Sequence, residues 1–479
     1  MPGINASMST AGNALEVLQQ ALSLIQNNID NASTPGYASQ QLNLEAMPLD
    51  VGGGLAGGVM ADGLDNSRDQ YAEEAVQSQT QALGLYTAQA QSTGALQSLF
   101  DVTGTSGVSA SLSALFQSFS AWSTTPDDAT ARQNVLAAAN TVAQSFQGLA
   151  NSLTQTAQQI DGQVGSTVQQ INTIAAQIQQ YNVQRLQSAQ PDPGQDAQLY
   201  SALDNLSQLT NFSTVTQSDG TVTVLLAGGT PLVVGNQQNV LSSSVSVDSQ
   251  PTPVYAQSLP TAHVLDAQGD DITSEITSGQ LGGLLDTRNR VLASILGDSQ
   301  QQGTLNQLAQ GMADTVNQIL TSGTVSTAAG AANGTALFTY DSSNPATVAS
   351  TLALNTAITP DQLAPVDASG NSNGNANTLA ALEDATGKQG TIGGLSYLAY
   401  FGQIAASAGQ ENQTATANQQ TQQQVTAQAT TLRDQVSGVS LDQEASAVLQ
   451  FQQAYQATAQ VLTVLDNLGA DLMNLIVPT

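Results

Sequence analysis

The chain is 479 residues long, enough for about three domains and a sizeable core, and carries 36 acidic residues against 7 basic ones for a net charge of −29. That balance argues against nucleic acid or an anionic membrane as a partner, because phosphate binding needs clustered Lys and Arg. With no cysteine in the chain, disulfides, thiolate metal sites and cysteine nucleophiles are excluded as well.

The N-terminal stretch lacks the basic n-region and the uninterrupted apolar h-region of an ordinary secretory signal, so any export uses another route. No apolar run approaches membrane-spanning length. Residues 4 to about 31 instead predict one helix, roughly 40 Å long at 1.5 Å per residue. Ile4, Met8, Ala11, Leu15, Leu18, Leu22, Ile25 and Ile29 recur there at alternating spacings of four and three, which gives a single apolar seam. Its only charges are Glu16 and Asp30, and a remaining face of Ser, Thr, Asn and Gln suits close neighbours. The helix is expected to stop in Asn31-Ala32-Ser33-Thr34-Pro35-Gly36-Tyr37. Pro35 biases Thr34 out of the helical region, and Pro-Gly fits the centre of a type II turn.

Residues 42–70 are Gly-rich and predict an extended segment or hairpin. Gly52, Gly54 and Gly57 match GxGxxG but lack the strand before and the helix after that nucleotide binding needs. A helix resumes over 67–100, a Gly/Ser break follows at 104–109, and helices are expected around Leu112–Trp122 and Asp127–Ala157. Asp127 and Asp128 sit at a helix start, where acids complement the dipole. A further seam of Ile160, Val164, Thr167, Ile171, Ile174, Ile178 and Tyr181 runs to Pro191-Asp192-Pro193-Gly194, and 197–210 reads as one more short helix.

The pattern then changes. Residues 212–275 alternate β-branched residues with turn signals, which predicts short strands and hairpins. Leu281–Leu296 and Leu305–Leu320 are helical again, while 321–378 is rich in Gly, Ser, Asn and Thr and is expected to be an exposed module. Helix returns from about 379, with a Gln-rich run over 410–432 and a break at Ser437-Gly438. The terminal seam follows: Leu441, Val448, Phe451, Tyr455, Leu462, Leu465, Leu472 and Ile476, with Thr458 and Gly469 as weak members.

The nested order predicts an α+β fold. The terminal N- and C-helices, 1–40 and 438–479, pair as a coiled-coil-like bundle. A mainly helical rod-like domain takes 41–210, 279–320 and 379–437, a β-rich outer domain takes 211–278, and 321–378 is an irregular or β insertion. A lone seam has nothing to bury against, so both ends are expected to fray in a free monomer and to fold as the chain polymerises.

The motif Asn28-Ile29-Asp30-Asn31-Ala32-Ser33-Thr34-Pro35-Gly36-Tyr37 resembles the N-terminal signature of the bacterial flagellar axial proteins, the rod, hook and hook-associated family. Ser437-Gly438-Val439-Ser440-Leu441-Asp442-Gln443-Glu444-Ala445, followed by Phe451-Gln452-Gln453-Ala454-Tyr455-Gln456-Ala457, is similar to the C-terminus of the hook-associated branch. Gly282-Gly283-Leu284-Leu285-Asp286-Thr287-Arg288 is similar to a helix start in the same branch. The resemblance implies a structural role at the junction of hook and filament, with paired terminal helices forming an inner tube and β domains outside. Implied partners are further copies of the chain, the hook protein, the second hook-associated junction protein, and a cytoplasmic export chaperone at the C-terminal helix. It also implies an extracellular location on the flagellum, reached through the flagellar type III apparatus. Alternatives are another axial role (hook, distal rod or second junction protein) or an added surface-binding or adhesin role of the middle region; Thr34-Pro35-Gly36-Tyr37 disfavours the second junction protein.

Chemistry finds little footing. His263 is the sole histidine, too few for an HExxH hydrolase or a His/Cys metal site, and it reads as an ordinary sheet residue. Asp62, Asp65 and Asp69 lack an EF-hand glycine, Gly269-Asp270-Asp271 reads as a turn, and Trp122 as a core anchor. No catalytic, cofactor or metal residue is assigned and no cofactor is expected. The residues assigned a role are the two terminal seams and the Thr34–Tyr37 turn, as assembly contacts.

Overall fold

The N-terminal seam forms α1 (Pro2–Asp30) in a computed structural model that describes residues 2–50, 55–101, 104–188, 192–249, 251–384 and 391–476. Gly52 and Gly54 of the GxGxxG match, with Gly53, Pro191 and Lys388, lie outside the described residues. The turn after α1 has the expected form. Tyr37 N donates to Thr34 O at 3.1 Å, and Gly36 takes φ +75°, the left-handed conformation that a type II turn requires at its third position. β1 (Gln40–Asp50) and β2 (Leu55–Asn66) then form an antiparallel hairpin with a bulge between Asn43 and Leu44.

α2 (Gln70–Gln97) starts at Asp69, whose carboxylate accepts from Ala72 N at 2.9 Å, so this aspartate is the N-cap of the helix. α3 (Gly107–Thr124) carries Trp122, fully buried, with its indole N–H donating to Pro126 O at 3.1 Å. α4 (Ala129–Gln187) is capped by Asp128 and runs unbroken for 59 residues, about 88 Å at 1.5 Å per residue. The sequence suggested two pieces. They join because the stripe never loses phase: Leu153, Ala157, Ile160 and Val164 keep four-three-four spacing sufficient for one buried face.

α5 (Pro193–Leu209) is capped by Asp192 and has Pro193 in its first turn, where a missing N–H costs nothing. The β region is two small antiparallel sheets. One holds β3 (Phe212–Thr216), β4 (Val222–Leu226), β5 (Pro231–Val234) and β6 (Gln237–Gln238) in sequence order; the other pairs β7 (Ser242–Ser246) with β8 (Thr261–Leu265). Two asparagines of α4 pin the first sheet and the segment after it. Asn182 accepts from Val222 N and donates to Val222 O, both at 2.8 Å, and Asn172 does the same with Leu241 N and O at 2.9 and 2.8 Å. Backbone groups that would otherwise be buried unpaired are thereby satisfied by the helix itself.

α6 (Gly279–Asp286) and α7 (Leu292–Leu296) flank a π-helical turn at Thr287–Val291, and α8 (Thr304–Ser322) follows. Gly283 lies so close to α2 that a Cβ there would sit 2.4 Å from Leu85 O. The π turn aims three successive residues at three elements. Arg288 bonds Asp161 of α4 at 2.7 Å, Asn289 bonds both backbone groups of Ala262 in β8, and Arg290 meets Glu411 at 2.8 Å.

Residues 321–378 differ from the exposed module the composition suggested. β9 (Phe338–Thr339) pairs with β10 (Ala353–Leu354), and α9 (Val348–Thr351) and α10 (Gly374–Ala380) complete the segment. Leu337, Phe338, Val348, Leu352, Leu363 and Leu379 are all buried against the helical body. A few well-spaced apolar residues among many polar ones are enough to anchor an irregular segment. The hairpin β11 (Thr391–Ile392) and β12 (Leu395–Ser396) leads into α11 (Tyr397–Ser437), and α12 (Leu441–Ile476) ends the described chain. α11 lies along α2, and its Gln-rich run provides part of the bonding, with Gln422 donating to Gln79 Oε1 at 2.7 Å.

Candidate assembly interface

α1 carries two seams. Along the first, Ala11 and Ile25 are buried while Ile4, Met8, Leu15, Leu18, Leu22 and Ile29 are half-buried. The second, Thr10, Ala14, Val17, Ala21, Leu24 and Asn28, has the same four-three spacing and holds Val17, Ala21 and Asn28, all buried. It meets the hairpin: Thr10 Oγ1 donates to Gly57 O, and Asn28 bonds both backbone groups of Gln40. The second stripe was visible in the sequence as a repeat but is diluted by Thr, Ala and Asn, which is why it reads as a polar face.

α12 pairs with α1 in antiparallel sense. Gln19 Nε2 donates to Tyr455 OH at 3.0 Å and Asn28 Nδ2 to Glu444 Oε1 at 2.8 Å, so rising numbers on one helix meet falling numbers on the other. That register sets Met8 level with Leu465, Ala11 with Leu462, Leu18 with Tyr455, Leu22 with Phe451 and Ile25 with Val448. The structure half-buries Val448, Phe451, Tyr455, Leu462 and Leu465, together with the weak members Thr458 and Gly469. Leu441, at 55% exposure, and Leu472, at 37%, do not join them: Leu441 opens the helix and Leu472 lies where α12 runs past the start of α1. Ile476 closes α12, and its side chain lies outside the described residues.

A separate apolar stripe on α12 is left open. Val461, Val464 and Leu468 are exposed, recurring at spacings of three and four on the side away from the covered seam, while Leu472 and Met473 are exposed where α12 runs past the start of α1. An amphipathic helix whose second apolar face meets only water is unusual for a finished monomer.

Asn28 is the hub of the pair. Only 1% exposed, it donates to Gln40 O and Glu444 and accepts from Gln40 N and, at 2.9 Å, from the Tyr37 hydroxyl. Burial and then the nearby Glu444 carboxylate push the Tyr37 phenol above its ordinary value. Thr34 and Pro35 are exposed, whereas Gly36 and Tyr37 are half-buried. The chain passes into the body at a serine crossing. Ser39 N donates to Ser437 O at 3.0 Å, Ser67 N to Ser39 O at 2.8 Å, and Asp69 N to the Ser437 hydroxyl at 3.0 Å. Beside this crossing, an open cleft of about 1740 Å³ separates α1 and the hairpin from α4 and α5.

His263 belongs to a different pattern from the plain sheet residue expected. Its Nδ1 is 2.8 Å from Asp271 Oδ2 and its Nε2 3.1 Å from Asp248 Oδ1. The Asp271 carboxyl feels burial, which raises it, but bonds from Thr273 and His263 outweigh this and hold it below its ordinary value. Among the described residues no group of three His, Asp or Glu side chains converges as a metal site.

Residues 93–338 match the family model described as the flagellar hook-associated protein FlgK helical domain. The flagellar hook-associated protein 1 of Bacillus subtilis (strain 168) is 26% identical over an alignment of 513 residues, covering 98% of this chain and 97% of that protein. Its namesake from Salmonella typhimurium (strain LT2) is 28% identical over 332 residues, covering 67% of this chain and 56% of that one. The solved flagellar hook junction protein FlgK from Burkholderia pseudomallei is 28% identical, with a TM-score of 0.45, over 56% of this chain and 46% of its own.

Proposed function

This chain belongs to the flagellar hook-associated protein FlgK family, whose helical-domain model matches just over half of it, and from that premise we propose that it is an axial subunit polymerising at the hook–filament junction. There it acts as an adaptor, with hook protein on one side and the second hook-associated junction protein on the other. The observation that carries this reading is the α1–α12 pair. The covered seams hold the two ends of the chain together, and the open stripe Val461, Val464 and Leu468 leaves a further apolar face for a neighbouring copy. α12 is also the segment a cytoplasmic chaperone would shield before export, for the same reason. The family is one of structural flagellar proteins, and we extend this to a non-enzymatic role for the chain.

The domain scheme fits the proposal as a division of labour. Segments 1–40 and 438–479 would form the inner tube, the helical segments the wall, and 211–278 the outside. The test is electron microscopy of cells lacking the gene, with flagellin assayed in the medium. Completed hooks without filaments, and flagellin shed outside, are expected. Missing hooks would move the protein to the rod or hook, and normal filaments would remove the junction role altogether.

A further inference from the structure

The terminal helix pair meets the helical body at a buried ion cluster that the assembly role does not use. Arg68, 7% exposed in its side chain, ion-pairs with Glu73 of α2, donates to Gly36 O at 2.6 Å, and places its guanidinium carbon 3.5 Å from the ring centre of Tyr200 in α5. Arg433 of α11 closes the other side, 3.0 Å from Asp204 and 3.5 Å from Glu73. Of the six arginines, Arg68 is the one whose described bonds reach the terminal elements; the bonds of Arg132, Arg185, Arg288, Arg290 and Arg433 stay within the body.

Two further observations make this a movable joint instead of a fixed one. α1 packs on α12 and on the hairpin but faces α4 and α5 across the open cleft, so among the described residues no extended packed surface sets its angle to the body. The angle is set where the turn sits on α5: a Cβ at Gly36 would fall 2.3 Å from Ala197 O. The cluster is also incompletely satisfied, because Arg68 Nε and Asp204 Oδ1 are buried without hydrogen-bond partners among the described residues. Unpaired buried polar atoms lower the cost of leaving the closed arrangement.

We propose that Arg68 is the latch of an elbow, fixing the angle between the α1–α12 pair and the helical body, and that the pair swings about the Ser39–Ser67–Ser437 crossing once Gly36 O leaves that guanidinium. The elbow belongs to the free chain and does not rest on the junction role. A few terminal residues absorbing the backbone change is the usual form of such a hinge.

The chain has no cysteine, so two introduced ones are unique labelling sites. Gln20→Cys on α1 and Gln180→Cys on α4 are both exposed and line opposite walls of the cleft. With spin labels at both, the full chain should give one narrow distance distribution, and Arg68→Gln should broaden or displace it while far-UV circular dichroism stays unchanged. Tyr200→Leu, which keeps every ion pair and removes only the ring, should broaden it less; if Arg68→Gln does not fold, this variant decides the matter. Arg290→Gln removes an exposed ion pair elsewhere in the body and should leave the distance alone. The latch is overturned if the parent distribution is already broad, if the deciding variant superimposes on the parent, or if Arg290→Gln broadens it as much as Arg68→Gln.

Discussion

Single residues at the elbow have outsized consequences because each satisfies several backbone groups at once. Asn28→Ala would leave Gln40 N and O and the Glu444 carboxylate short of partners in a buried place, a loss of about 1–3 kcal/mol for the terminal unit. Hydrogen exchange should show faster exchange at Gln40 and along the start of α12, with α4 unaffected; equal protection in the variant would contradict the hub assignment. Two glycines are fixed by different needs. Gly36 must adopt φ +75° and lies against α5, whereas Gly283 has ordinary helical geometry but no room, a Cβ there falling 2.4 Å from Leu85 O. Gly283→Ala should therefore separate α6 from α2 and cost about 1–3 kcal/mol of stability, as overpacking does, read as a lower urea midpoint. The signature that identified the N-terminus was thus legible as letters, but the reasons for Asn28 and Tyr37 were not. They depend on Gln40 and Glu444, and the second of these lies at the other end of the chain.

At the scale of the elements, the two faces of α12 should separate stability from assembly. Phe451→Ala removes a half-buried ring from the covered seam and should cost about 1–2 kcal/mol, a fraction of a full core deletion, seen in thermal melts of the terminal unit. Val464→Asp lies on the open stripe, at 64% exposure, and should leave the monomer melt unchanged while abolishing filament attachment in motility assays. Unimpaired swimming with Val464→Asp would mean that the open stripe has no partner. The repeats that built α1, α4 and α12 could be read directly, since a period of four and three is a local property. What could not be read was which of two stripes on one helix would be covered, or that 321–378 folds inward, because both are decided by residues distant in sequence.

Across the whole molecule, charge governs the response to pH. Thirty-six acids stand against seven bases, and each of the six arginines is tied into an internal contact. Buried Glu73 and half-buried Asp204 sharpen that response. Burial is the largest influence on both and lifts them above their ordinary values of 4.5 and 3.8, in spite of the opposing pull of Arg68 and Arg433 on Glu73 and of Arg433 on Asp204. A carboxyl so raised binds its proton more tightly in the folded chain. Its contribution is fully present below its unfolded value and is lost as pH rises through its folded one. Asp219, Asp341 and Asp367 go the other way: hydrogen bonds hold them low, so what they contribute is lost only as pH falls through a range below 3.8. Urea midpoints should therefore rise from neutral to mildly acid pH, helped by relief of self-repulsion, and fall in stronger acid. Glu73→Gln should flatten the first limb, and a midpoint that only declines on acidification would contradict the assignment.

The unbroken span of α4 also limits how relatives of this chain can differ in length. One residue added near Ala157 would turn everything beyond it by about 100°, carrying Ile160 to Tyr181 away from the sheets and Asn172 and Asn182 away from the backbone groups they hold. Two added turns, about seven residues, nearly restore the phase but slide the distal half along by about 10 Å. Insertions and deletions in descendants of this helix should accordingly come in near-whole pairs of turns, matched by compensating changes in the sheets. Single-residue length differences should collect in the connections between elements. The helix thus works as a ruler as well as a wall.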